Sequence, residues 1–193
     1  MVGSQRMKQL KKILDRQAVT LYNLLLPIWL LVWWPSFLWI IIIPLNYVID
    51  RGVFTLSAKK QKPDLDNKFF RKHTWKLWLF GFLSDFIGSI LLLSPLFIEP
   101  PKEIRGNYNI SAFGRFMNAI QFNPFSYFPA FAYTVFAVLV AGAFIFLFDK
   151  MVLNKTGALT REQAKSIALK MAIFTAPYLY LVPSSAVRFL MGG

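Results

Sequence analysis

The 193-residue chain has no cysteine and a single histidine, His73. The first absence excludes disulfides, thiolate metal sites and Cys nucleophiles. Acidic residues are scarce as well, with 9 Asp and Glu against 22 Lys and Arg and a net charge of +13. There is no H-E-x-x-H, no G-x-S-x-G and no Gly-rich phosphate loop ending in Lys-Ser or Lys-Thr. No Asp, Glu or His group has metal-ligand spacing. With so few acids, bases and nucleophiles, we expect a protein that is not an enzyme and needs no cofactor or metal.

Charge of any kind is thin, at 16% of residues, while apolar residues reach 56% and the mean hydropathy is +0.47. A soluble domain has roughly 45–50% apolar and about 25% charged residues. The 22 basic residues do not form a surface coat. They fall between long uncharged runs, which points to a bilayer rather than a nucleic acid as the main partner. No aromatic residues stack within a basic groove, so no specific nucleic-acid binding is expected.

Four apolar segments stand out, at 21–49, 75–98, 127–148 and 167–190. A helix needs about 20 mainly apolar residues to cross a bilayer. The last three fit one span each. The first is too long for one span and carries Pro27, Pro35 and Pro44. Proline removes a backbone donor, so this segment is expected to bend or break. The fold class expected is thus an all-α integral membrane protein. It is a small helical bundle of three transmembrane helices plus one long Pro-broken hydrophobic segment.

Lys and Arg counts give an orientation. Residues 1–20 hold five, 50–76 eight, 99–126 three and 149–170 five. The loops 50–74 and 149–166 are expected on the cytoplasmic side, with the loop 99–126 and the C-terminus outside. A plasma membrane location follows. Both flanks of the first segment are basic, so a re-entrant hairpin would keep all dense positive regions on one side. A kinked single span is the alternative.

Lys8, Lys11, Lys12 and Arg16 flank an apolar face of Met7, Leu10, Ile13 and Leu14, the pattern of a helix over 1–20 lying on anionic lipid. Lys59, Lys60, Lys62, Arg71 and Lys72 extend that basic surface, and juxtamembrane bases contribute about 1 kcal/mol each against anionic lipid. Asp64 and Asp66 sit among these lysines, which suits ion pairing on a solvated loop better than metal binding. In 99–126, Phe113, Phe116, Met117 and Ile120 recur at helical spacing. Ser111 is a plausible N-cap and Asn123-Pro124 a stop. Thr160 and Gln163 fit a capping box, starting the last helix near Arg161.

One charge lies deep within a span. Asp85 belongs to a small, polar stripe of Gly81, Ser84, Asp85 and Gly88 at i, i+3, i+4 and i+7. A carboxylate at mid-membrane costs about 2.5–3.5 kcal/mol on the insertion scale, so it faces protein and often serves function. The small face Ala168, Ala172, Thr175 and Ala176 on the last segment is the expected partner. Pro177 frees the carbonyl of Ile173, and a protonated Asp85 could donate to it, or bond Thr175 or Tyr178.

Two functional classes remain. The first is a non-enzymatic subunit or accessory of a larger membrane assembly, of transport, secretion or conjugation type, with hetero-oligomeric partners. The second is a self-assembling ion or proton channel or carrier that uses the Asp85 stripe.

Overall fold

The computed structural model describes residues 39–98, 111–184 and 186. Within them the chain is all helical, without strands. Five α-helices follow one another: α1 (Trp39–Lys59), α2 (Asn67–Leu93), α3 (Ala112–Phe122), α4 (Phe128–Asn154) and α5 (Arg161–Thr175). Single 3-10 turns follow α2 at Ser94–Phe97, precede α4 at Pro124–Ser126 and follow α5 at Tyr178–Leu181.

The helix ends have local causes. Asp66 caps α2 by accepting from the Phe69 amide at 2.8 Å, which gives one acid of the Asp64/Asp66 pair a structural task. Ser111 caps α3 through the Gly114 amide at 3.0 Å. Asn123 follows α3 and accepts from the Phe125 amide to start the next turn. At α5 both bonds of the capping box form between Thr160 and Gln163. Gly157 turns the chain between α4 and α5 with φ +66, in the left-handed region that a Cβ disfavours.

Three expected boundaries move. The basic stretch 50–74 is not one loop: α1 continues to Lys59 and α2 begins at Asn67, leaving 60–66 as the connection. Lys and Arg are good helix formers, and the continuation is held by Phe54 and Ala58, both fully buried. Pro44 lies inside α1 and does not end it. It removes only the bond to the Ile40 carbonyl, near the described start of the helix. The choice between hairpin and single span concerns residues 21–38, which lie outside the described set, as does the basic face of 1–20. The segment 167–190 is not one helix either. Its helix starts at Arg161 and stops at Thr175, two residues before Pro177, because that proline cannot donate to the Ile173 carbonyl and clashes with the preceding turn. Fifteen residues make about 22 Å, short of the roughly 30 Å core of a bilayer.

Two helices, α2 and α4, are long and apolar enough to cross a membrane. Each has 27 residues, or about 40 Å at 1.5 Å per residue. Their outward faces are apolar, with Leu79, Leu83 and Ile90 on α2 and Phe136, Leu139 and Leu147 on α4 all largely exposed. A water-facing helix would put charge there.

Inside, α4 is the central helix, with α2, α3 and α5 packed on it, and α1 closes against α2 and α5. The core falls into two apolar clusters. One, at the lysine-rich end, gathers Phe54, Phe70, Leu77, Ile145, Leu153 and Met171. The other, toward α3, gathers Leu92, Ile120, Ala130, Val138 and Tyr180. The connections at the lysine-rich end are tied together: the Lys62 ammonium donates to the Ala158 carbonyl at 2.7 Å and the Gln163 amide donates to the Gln61 carbonyl at 3.3 Å.

The prolines that follow α2 and α5, Pro95 and Pro177, leave carbonyls that tyrosines cover. Pro95 deprives the Leu91 carbonyl of its helical donor, and the Tyr133 hydroxyl on α4 donates to it at 2.6 Å, alongside the Ser94 hydroxyl at 2.8 Å. Pro177 does the same to Ile173, whose carbonyl takes the Tyr178 hydroxyl. Away from water such groups need an internal donor.

Candidate functional site

Between the two apolar clusters lies a layer of small and polar residues. On α2 it contains Gly81, Ser84 and Gly88, all buried, so the small residues of the predicted stripe do face the interior. Gly88 sets the approach of α2 to α4. A Cβ there would lie 3.0 Å from the Cβ of Ala141, 3.1 Å from Cε2 of Tyr180 and 3.3 Å from the Ala137 carbonyl oxygen. Gly88 therefore packs on α4 and Tyr180, and Gly81 faces Asp50 of α1; neither meets the alanine face of α5. That face meets α4 instead: Gly142 is 3.7 Å from the Ala172 carbonyl and 3.8 Å from Ala176, measured from an ideal Cβ. Gly88 and the Ala172/Ala176 face each pack on the central helix rather than on each other.

The predicted partners of Asp85 are engaged elsewhere. The Thr175 hydroxyl donates to the Met171 carbonyl one turn back at 2.9 Å. Tyr178 is half exposed and spends its hydroxyl on the Ile173 carbonyl. Ser84 bonds back to the Phe80 carbonyl at 2.8 Å. The residue that reaches Asp85 is Tyr180, whose hydroxyl donates to the Asp85 backbone carbonyl. The Asp85 side chain keeps its Oδ1 sealed from solvent and without a hydrogen-bond partner among the described residues.

Asp85 is not alone. Asp50 of α1 is 3% exposed and Asp149 of α4 is 1% exposed. The Asp50 carboxylate lies within electrostatic reach of both Asp85 and Asp149. Packing explains the convergence. Asp50 Oδ2 sits 3.6 Å from an ideal Cβ on Gly81, one turn from Asp85 on the same face of α2. Along the α2–α4 contact, Gly88 meets Ala141 and the Phe80 ring meets Phe148 at 5.2 Å. The antiparallel register so defined puts Asp149 opposite Leu79 and Phe80, about 8 Å along α2 from Asp85. The three acids thus come from three helices, with Asp50 within electrostatic reach of the other two.

None of this acid is neutralised within the described residues. Asp50 Oδ1 and both oxygens of Asp149 are buried without a hydrogen-bond partner. Buried polar groups are nearly always bonded, and an isolated buried carboxylate has an effective penalty of several kcal/mol. Among the described residues no three acids or histidines come close enough to share one metal ion. The arrangement is a row of neighbouring carboxylates, not a coordination cage. Asp50 and Asp149 were missed in the sequence because each precedes a base, Arg51 and Lys150, at the end of an apolar run, where a charge reads as an interface residue.

The basic side chains divide. Lys60, Arg71 and Lys72 are exposed. Lys59 lies 6.0 Å from the Phe70 ring centroid. Lys62 is taken up by the Ala158 carbonyl and joins two connections rather than facing lipid.

No family model, curated protein or solved structure matches this chain. What the fold and the site define is a class: a protein all-helical over its described residues, with two membrane-length helices and three neighbouring acids, of which Asp50 and Asp149 are fully buried.

Proposed function

We propose that the chain is a non-enzymatic integral membrane subunit whose Asp50, Asp85 and Asp149 layer holds a proton or a small monovalent cation. It would act within a larger assembly of transport, secretion or conjugation type. The observation that carries the reading is Asp149, 1% exposed with both carboxylate oxygens unpartnered and a second buried carboxylate within electrostatic reach. Three uncompensated charges in one row, with Asp50 acting on both of the others, would be repelled and would forfeit hydration. A proton shared among them relieves both, and so does one small cation bridging two carboxylates. Five described helices leave little room for a continuous pathway inside one copy, which is why the site is assigned to a subunit.

In this reading α2 and α4 cross the plasma membrane, the lysine-rich end lies on the cytoplasmic side, and its exposed bases hold anionic lipid. The second reading, a self-assembling channel or carrier, is favoured by one feature. Asp85 is only half-buried as a residue, so the acidic layer reaches the edge of the bundle where a second copy could meet it. Isolation in mild detergent separates the two: unlike subunits support the first, a symmetric homo-oligomer the second.

The site is tested by infrared difference spectroscopy on the purified chain. Wild type should show a protonated buried carboxyl that sodium displaces or leaves in place, and Asp149→Asn should remove or shift that signal while helicity is retained. Carboxylates that are all ionised, insensitive to sodium and unchanged by Asp50→Asn and Asp149→Asn would refute it.

A further inference from the structure

A second site lies at the lysine-rich end, outside the acidic layer. A cleft of about 210 Å³ opens between the first turns of α2 and the last turn of α4. His73, Lys76 and Phe80 line one wall at i, i+3 and i+7 of α2, and Met151, Lys155 and Thr156 line the other. The volume falls below the roughly 300–1,000 Å³ that encloses a drug-sized ligand, so the cleft suits a small headgroup.

The charged residues lining it are Lys76 and Lys155, with the buried Asp149 one turn from Val152 on α4. The charges nearest His73 are Lys72 and Lys76, and neither Lys76 nor Lys155 has an ion-pair partner among the described residues. His73 is held in place: its Nδ1–H donates to the Phe69 carbonyl at 2.8 Å, and its ring sits 4.3 Å from that of Phe69. In the neutral ring Nε2 is therefore an acceptor, and partial burial together with the neighbouring Lys72 and Lys76 opposes a second proton. One term opposes an anion here, since the carbonyl end of α4 points into this region. The Thr156 hydroxyl answers part of it by donating to the Leu153 carbonyl at 2.8 Å. Phe80 and Met151 give the cleft an apolar floor on the outer faces of the two membrane-length helices.

We propose that this cleft seats the phosphate of one anionic phospholipid. Lys76 and Lys155 are the charged donors, and an acyl chain lies over Phe80 and Met151. The diffuse basic surface of the same end attracts any anionic leaflet, whereas this seat holds a single molecule between two helices. The inference rests on the membrane reading of α2 and α4 and is independent of the acidic layer.

Native mass spectrometry of the full chain released from nanodiscs of phosphatidylcholine with a minor fraction of phosphatidylglycerol tests it. We expect one retained phosphatidylglycerol on wild type. The double variant Lys76→Gln/Lys155→Gln should weaken it by about tenfold or more. Lys76→Arg/Lys155→Arg should keep it. Arg161→Gln/Lys165→Gln, which removes the same charge from exposed positions of α5, should also keep it, and circular dichroism checks that all variants fold. Asp149→Asn should leave the adduct in place, so loss of the proton reading does not take this one with it. Equal weakening in the two Gln doubles would show a diffuse field and overturn the seat. Absence of any retained lipid would overturn it too. Displacement of the lipid by an equal concentration of inorganic phosphate would assign the cleft to a soluble phosphate and overturn the lipid.

Discussion

The approach of α2 to α4 at Gly88 can be measured with three glycine-to-alanine substitutions. Gly52, Gly81 and Gly88 all lie inside helices, so each change gains a similar helix-propensity term of about 1 kcal/mol. What differs is the space. A Cβ at Gly52 meets nothing within 4 Å, one at Gly81 makes an ordinary contact at 3.6 Å with Asp50 Oδ2, and one at Gly88 meets three atoms at 3.0–3.3 Å. One of those three is the backbone oxygen of Ala137, which cannot rotate away. Overpacking of this kind costs about 1–3 kcal/mol. Gly52→Ala should therefore stabilise by about 1 kcal/mol. Gly88→Ala should fall below it by about 1–3 kcal/mol, ending neutral to destabilised by about 2 kcal/mol. Because the comparison is between substitutions of one kind, the propensity term largely cancels. Reversible unfolding in mixed micelles, followed by circular dichroism against denaturing detergent, reads the differences directly. If Gly88→Ala stabilised as much as Gly52→Ala, α2 and α4 would not touch at this level, and the register that brings Asp149 to Leu79 and Phe80 would fall with that contact.

Two further outcomes follow from the same geometry. Tyr133→Phe removes the hydroxyl that covers the Leu91 carbonyl, but the Ser94 hydroxyl and backbone amide still donate to it; the loss should be about 0.5–1.5 kcal/mol in the same unfolding assay. Since the native chain has no cysteine, single cysteines report sidedness cleanly: Lys60→Cys and Phe125→Cys, at opposite ends of the long helices, should react with an impermeant maleimide from opposite faces of a sealed vesicle. Labelling of both from the same face would remove the membrane reading of α2 and α4.

Local signals in the sequence carried through to structure where one residue type settles the matter. Ser111, Asn123 with Pro124, and the Thr160/Gln163 pair set helix ends by a few hydrogen bonds each, and those bonds form. The length and apolarity of α2 and α4 are likewise properties of single segments. What failed was pairing. Gly81 and Gly88 on one helix and Ala168, Ala172 and Ala176 on another are equally small, and nothing in their spacing says that Gly142 of α4 takes the alanine face. Once α4 stands between them, Thr175 and Tyr178 have no route to Asp85. Asp50 and Asp149 were opaque for a related reason. A charge next to a base at the edge of an apolar run looks solvated until packing shows that its neighbour points out and it points in. The extension of α1 through Arg51 to Lys59 was hidden because charge marks where a chain leaves lipid, not where its helix ends.

The three acids of the inner layer are contributed by α1, α2 and α4, with 35 residues separating Asp50 from Asp85 and 64 separating Asp85 from Asp149. A nascent chain that has made only its first helical hairpin owns two of them and lacks the third wall. Whatever occupies the layer can bind only after the central helix has arrived, and by mass action its affinity is then added to the stability of the finished fold and to no shorter precursor. In the proposed reading, the same carboxylates that make the interior costly turn the occupant into a check on arrival of α4, rewarding a chain that has reached it over any that stops short.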